Sequence, residues 1–169
     1  MPTPRRAART LLAVAVVTLG ATACSSDDEP EAVASDAGTD RPCEAVGSDL
    51  EPDAVTSVAV ELHEYEFTPA SLEAPAGIVT FATENTGVEA HELALLPGGG
   101  DVPLTEAGAP DEEALEAAGA FELEAYGPDQ TCNASYELDP GTYTVFCLVE
   151  AADGETHLEK GMEGTLTAE

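Results

Sequence analysis

Apolar and polar residues alternate along several short stretches of the chain after residue 54. A period of two is typical of a half-buried β-strand, because successive side chains point to opposite faces. The pattern predicts a first strand over 55–62, which Tyr65 and Phe67 extend, and a second over 78–83, with a turn over 72–77 between them. Further strands are predicted over 90–96, 135–138, 143–148 and 164–168.

One segment has helical rather than strand character. Within the insertion at 101–120, Asp111 follows Pro110 and can serve as an N-cap, and Gly119 can end the helix. Many short strands separated by turns rich in Pro and Gly are typical of a β-sandwich. The predicted fold class is therefore all-β, a β-sandwich with a short helical insertion between the strand at 90–96 and the later strands.

The N-terminus has the pattern of an export signal. Three arginines precede an apolar run over 11–19, and small residues lead to Cys24. The run is too short to span a bilayer as a permanent helix. We predict a signal peptide over 1–23 of the lipoprotein type, because its end resembles a bacterial lipobox in which Cys24 is acylated. Ordinary cleavage near Ala23, which would give a secreted protein, is the alternative.

The composition then changes twice along the chain. Residues 24–54 are rich in Asp, Glu, Ser, Ala, Gly and Pro, and such a segment predicts a disordered acidic tether. Residues 55–169 are long enough to form one domain with its own core. The chain carries 34 acidic and 5 basic residues, a net charge of −29. This charge argues against nucleic-acid binding, which requires basic patches, and we expect a monomer.

Four side chains form a recognisable set of metal ligands. Cys147, His157 and Met162 lie close together near the C-terminus, and His91 lies upstream. Two imidazoles, a thiolate and a weak axial thioether are the ligands of a blue-copper electron-transfer site. Taken singly, Met162 could be a core residue and Cys147 a buried thiol or half of a disulfide. His63 has no partner motif and is expected to be structural.

The remaining cysteines can be assigned by function. With Cys24 acylated and Cys147 on the metal, Cys43 and Cys132 are left over. Two such cysteines usually pair in an oxidising compartment, so a disulfide is predicted. Two separate thiols are the alternative.

Residues 55–169 resemble the cupredoxins, and in particular the small secreted or lipid-anchored plastocyanin-like copper proteins of actinobacteria. The resemblance is carried by the four ligand-type residues in family order and by these stretches: Phe67-Thr-Pro69, Ala74-Pro-Ala-Gly77, Asn85-Thr-Gly87, His91-Glu92 and Asp139-Pro-Gly141. It implies a Greek-key sandwich with one copper ion at one pole. His91 would lie on one loop and the other three ligands on the loop before the last strand.

The resemblance also implicates residues around the ligands. Asn85 and Glu92 are expected to contact the ligands or their loops without binding the metal themselves. Plastocyanin and azurin have an Asn at the position of Glu92, and the side-chain amide of that Asn links the two ligand loops. An ionised Glu cannot donate a hydrogen bond in this way.

The function expected from these observations is one-electron transfer by copper cycling between Cu(I) and Cu(II), without enzymatic activity. A site with four protein ligands leaves no open position for a substrate. We expect an exported protein held at the outer face of the cell membrane only by its lipid, with a cytochrome or an oxidase-like protein as redox partner. Copper storage or delivery is one alternative, and a metal-free binding domain of the same fold is another.

Overall fold

The computed structural model describes residues 38–169, so the predicted signal peptide, Cys24 and the first part of the predicted tether lie outside the described residues. The elements in chain order are a 3-10 helix (Glu51–Asp53), β1 (Thr56–His63), β2 (Glu66–Thr68), β3 (Ser71–Ala74), β4 (Gly77–Asn85), β5 (His91–Pro97), α1 (Glu112–Ala117), β6 (Phe121–Tyr126), β7 (Thr131–Leu138), β8 (Gly141–Phe146) and β9 (Glu163–Ala168). Within residues 38–169, no helix has the length and apolar character needed to cross a membrane.

The strands form two mixed sheets. The first has the order β2-β1-β4-β7 and the second the order β3-β9-β8-β5-β6. Most neighbours are antiparallel, but β1 pairs with β4 and β3 pairs with β9 in parallel. Strands that follow one another in sequence therefore often lie in different sheets, and the two sheets form the predicted sandwich.

The main core lies between the sheets and draws on both of them. Its fully buried members include Leu62 and Phe81 from the first sheet and Leu93, Val145 and Leu166 from the second. Burying such side chains contributes about 1.5–3 kcal/mol each relative to leaving them exposed. The sandwich is thus held mainly by the inward-facing residues of the alternating strands.

Strand β5 is buried on both faces, and this explains the unbroken apolar run from Leu93 to Leu96. Its outward side chains Ala94 and Leu96 pack with Leu115 of α1 and with Phe146 in a second, smaller cluster. A strand covered on both sides loses the polar alternation of a half-buried strand. The helix begins as predicted, because the Asp111 side chain accepts a hydrogen bond from the amide of Ala114 at 3.0 Å.

The packed part of the chain begins before residue 55. Cys43 is joined to Cys132 of β7 by the predicted disulfide, with a Cα–Cα distance of 5.5 Å. Val46 forms a β-bridge with Ala134, and the amide of Val46 donates to the carbonyl of Asn133 at 3.1 Å. The later part of the predicted tether is therefore attached to the first sheet by one covalent bond, by this bridge and by the packing of Val46 against the core.

Two elements between β1 and β4 differ from prediction. Phe67 does not extend β1, because the chain reverses after His63 and β2 pairs antiparallel with β1. Leu62 and Phe67 are opposite each other in this hairpin, so both face the core and the apolar alternation continues through the turn. The predicted turn over 72–77 overlaps β3, a four-residue strand in which Leu72 pairs with Leu166.

Two strands in the second half of the chain differ from the prediction: β6 was not predicted, and β7 is longer than predicted. Strand β6 was not predicted, although Phe121, Leu123 and Ala125 alternate with glutamates there. Strand β7 starts at Thr131, four residues before the predicted strand, because it pairs with β4 from Gly77 to Glu84. Pairing with a long neighbour extends it through residues whose own pattern is weak.

Candidate metal centre

Asn85, at the end of β4, organises the loop that leads to His91. Its side-chain amide donates to the carbonyl oxygens of Glu89 and Tyr126, both at 2.9 Å, and its Oδ1 accepts from the amide of Gly87 at 3.0 Å. Asn85 is fully buried, and its hydrogen bond to Tyr126 is buried as well. These hydrogen bonds fix the loop so that His91, the first residue of β5, points to the interior.

Gly87 is required by close packing against the predicted ligand. A Cβ atom at this position would lie 2.5 Å from Oε1 of Glu64 and 2.8 Å from Nε2 of His91. Both distances are shorter than van der Waals contact, and the imidazole is held by its surroundings. The glycine of the Asn85-Thr-Gly87 sequence thus leaves room for the histidine and its neighbouring carboxylate.

The three C-terminal residues of the predicted set are brought together by one closed loop. Cys147 directly follows β8, and the amide of His157 donates to the carbonyl of Val149 at 2.8 Å. The amide of Met162 donates to the carbonyl of His157 at 2.8 Å, and the amide of Cys147 donates to the carbonyl of Met162 at 3.3 Å. These backbone bonds hold Cys147, His157 and Met162 at one end of the sandwich.

The donor atoms of three predicted ligands converge. One donor atom each from His91, Cys147 and His157 lies within 4.8 Å of the others, and all three residues are fully buried. Sγ of Cys147 is 3.3 Å from Nδ1 of His157, and the centroids of the two imidazole rings are 4.7 Å apart. Met162 is also fully buried and belongs to the same core cluster as Cys147.

One buried nitrogen in this group has no partner. Nδ1 of His91 is inaccessible to solvent and makes no hydrogen bond within the described structure. An unsatisfied buried polar atom is unfavourable by about 1–3 kcal/mol, so such atoms are rare. A metal ion between Nδ1 of His91 and the other two donors would satisfy it, and the residues present therefore fit a metal.

The remote nitrogens of both histidines face carboxylates that no sequence motif marks. Nε2 of His91 lies 3.2 Å from Oε1 of Glu64, and Nε2 of His157 lies 3.0 Å from Oε2 of Glu89. The edge of the Tyr65 ring packs against His157, with the centroids 4.9 Å apart. Among 34 acidic residues, nothing in the sequence distinguishes these two.

Comparison with known proteins supports the two-sheet sandwich described above. No protein-family model matches the chain. No curated protein matches it either. Among solved structures, auracyanin B is 22% identical over 78% of this chain and 96% of its own, with a TM-score of 0.53. The dithionite-reduced auracyanin of the photosynthetic bacterium Roseiflexus castenholzii is 25% identical over 69% of this chain and 98% of its own, with a TM-score of 0.50.

The fold is that of the cupredoxins. The cupredoxin sandwich accounts for the placement of the site, because the loop after β4 and the loop after β8 meet at one end of the two sheets. The four residues predicted as ligands are all buried at this pole of the cupredoxin fold. Their identities, two imidazoles, one thiolate and one thioether, suit copper in both oxidation states.

Both histidines at this cupredoxin pole are in the form that binds metals. Burial, and then the proximity of His157, lower the pKa of His91 to about 4, although Glu64 opposes the shift. Burial also lowers the pKa of His157, against the opposite effect of Glu89. Both imidazoles are therefore neutral at pH 7, and a neutral imidazole has a lone pair for a metal ion.

The surroundings of Cys147 disfavour a free thiolate. Burial raises the pKa of the Cys147 thiol well above its ordinary value, and the charge of Glu92 raises it further. A bound metal ion has the opposite effect, since it deprotonates a coordinating thiol outright. Without a metal, Cys147 is therefore a buried, protonated thiol and not an exposed reactive one.

Glu92 joins the two ligand loops by accepting a hydrogen bond. Its Oε1 lies 2.5 Å from the amide nitrogen of Leu148, the residue after Cys147. Burial raises the pKa of Glu92 to about 7, although the amide of Leu148 acts in the opposite direction. In this cupredoxin fold the Glu92 carboxyl group therefore links the start of β5 to the loop after β8 as an acceptor.

His63 lies outside the metal centre. Its Nε2 is 3.2 Å from both Oγ1 of Thr68 and Oε1 of Glu66, and its side chain is one-third exposed. These contacts belong to the β1–β2 hairpin. His63 is therefore a structural residue, as the sequence suggested.

Proposed function

We propose that this protein binds one copper ion and acts as a one-electron carrier, without catalysing a reaction on a substrate. The observation that carries the proposal is the buried cluster of His91, Cys147 and His157, in which one histidine nitrogen has no partner. His91, Cys147, His157 and Met162 would hold the metal. When bound there, copper supplies a Cu(I)/Cu(II) couple.

The protein's own residues supply what a carrier needs besides the metal. The ligands lie on two loops that are closed by backbone and side-chain hydrogen bonds, including the link from Glu92 to Leu148. A site held in this way changes little when its charge changes by one electron. Complete burial of the ligands keeps water and small molecules away from them.

We further propose a cationic redox partner that docks at the ligand pole. Glu89 is 3.0 Å from His157 and one-fifth exposed, and the ligand loop adds Asp153 and Glu155, which share a single cation, Lys160, as their ion-pair partner. With a net charge of −29, the protein should attract a positively charged cytochrome or oxidase-like partner, and association should slow as salt rises. The N-terminal sequence supports export and a lipid anchor at Cys24, with secretion as the alternative.

A visible spectrum tests copper binding. Protein loaded with Cu(II) should show the intense charge-transfer band of a Cu–thiolate bond, and Cys147→Ser should abolish it. The matched control is His63→Gln, which should keep the band because His63 contacts Thr68 and Glu66 instead of the centre. A colourless Cu(II) complex of the unaltered protein would refute the proposal.

A second measurement separates an electron carrier from a copper donor. The reduced protein is mixed with a cationic cytochrome and, separately, with a copper-free acceptor protein, while both the metal and the electron are followed. Electron transfer should be fast and the metal should stay with the chain. Metal transfer at the rate of electron transfer or faster would favour storage or delivery instead.

A further inference from the structure

Each of the two candidate histidine ligands has a carboxylate at its remote nitrogen. Nε2 of His91 is 3.2 Å from Glu64 and Nε2 of His157 is 3.0 Å from Glu89. An ionised carboxylate only accepts hydrogen bonds, so a neutral imidazole beside it must carry its proton on Nε2. Nδ1 then presents a lone pair, and Nδ1 of His157 is the atom that lies 3.3 Å from Sγ of Cys147.

We propose that Glu64 and Glu89 are positioning residues that orient both histidines through Nδ1 and stabilise Cu(II) relative to Cu(I), which lowers the reduction potential. This inference rests on the proposed copper function. A hydrogen-bonded carboxylate makes an imidazole a more basic ligand and fixes its orientation. Negative charge close to the metal also favours the more highly charged oxidation state.

The two carboxylates are themselves held in place. Oε1 of Glu64 accepts from the amides of Val88 and Glu89, at 2.6 and 2.8 Å. Oε2 of Glu89 accepts from the hydroxyl of Tyr65 at 3.2 Å. The loop before His91 thus holds Glu64 of the β1–β2 turn through backbone amides. The same turn holds Glu89 of that loop through the hydroxyl of Tyr65. This arrangement fixes two carboxylates that would otherwise turn outward to water.

Partial burial makes these charges effective at the centre. The side chains of Glu64 and Glu89 are 25% and 20% exposed, whereas those of the two histidines are fully buried. Charges that are partly removed from water are screened less than charges on the surface.

Conservative substitutions test the effect on the potential. In the copper-loaded full chain, Glu64→Gln and Glu89→Gln each remove one charge and keep an oxygen that can accept a hydrogen bond. We expect each to reduce the ratio of Cu(II) affinity to Cu(I) affinity about tenfold, which raises a one-electron potential by about 59 mV. The matched control is Glu66→Gln, which removes the carboxylate 3.2 Å from the non-ligand His63 and should leave the potential almost unchanged.

Shifts no larger than that of Glu66→Gln would overturn the proposal. A purely structural role would lower the free energy of unfolding without moving the potential, so both quantities are measured in each variant.

The histidine tautomers give a test that needs no metal. In ¹⁵N NMR spectra of the metal-free full chain, both His91 and His157 should carry the proton on Nε2 at pH 7. A proton on Nδ1 of either ring would overturn the inference. If the protein takes up no copper, the proposed function fails, but this measurement still decides whether the carboxylates orient the rings.

Discussion

Removal of the disulfide between Cys43 and Cys132 should destabilise the domain by several kcal/mol. The bond joins residues 89 positions apart, and closing a loop of that length restricts the unfolded chain strongly. The chain-entropy relation gives about 4.6 kcal/mol at 25 °C, and native disulfides of small secreted domains typically contribute about 2–5 kcal/mol. We therefore expect the free energy of unfolding to fall by about 2–5 kcal/mol.

The assay is denaturant unfolding of the soluble segment that starts after Cys24. Oxidised protein is compared with reduced protein, which isolates the covalent link because all sulfur atoms are retained. The Cys43→Ala/Cys132→Ala variant is then compared with reduced protein to show the additional effect of truncating the buried Cys132 side chain. The visible band of the copper-loaded variant should remain, since β7 supplies none of the proposed ligands.

Two results would refute this reasoning. A difference of less than about 1 kcal/mol between oxidised and reduced protein would show that the segment before β1 adds no effective constraint. Three free thiols in the unfolded, metal-free segment, instead of Cys147 alone, would show that the bond does not form in protein made in an oxidising compartment.

Two further substitutions test the surroundings of the centre. Met162→Leu should retain the metal and its colour but raise the potential, because a weak thioether contact favours Cu(II); complete loss of metal, measured by elemental analysis, would contradict an axial role. Glu92→Ala should lower the free energy of unfolding by about 1–3 kcal/mol, because it leaves the amide of Leu148 without its acceptor. Glu92→Gln keeps an acceptor oxygen and should lose much less, and equal losses in the two variants in denaturant unfolding would show that this hydrogen bond is unimportant.

The sequence indicated the fold class and the ligand-type residues because both leave local signals. Alternation of apolar and polar residues predicted the strands that face the core, and the rarity of Met and His made the Cys147, His157 and Met162 group conspicuous. The disulfide could be predicted because Cys43 and Cys132 were left over once Cys24 and Cys147 had been given predicted roles. Residue type carried the signal in each case, and short spacing added to it for the strands and for the three C-terminal ligand-type residues.

Tertiary structure decided which other residues meet the ligands. Glu64 is 27 positions from His91 and Glu89 is 68 positions from His157, and both resemble every other glutamate in an acidic chain. The extension of β7 and the attachment of Val46 likewise depend on neighbouring strands. Contacts between distant segments are set by how the two sheets pack and by where the loops meet. A local pattern of residues cannot predict these contacts.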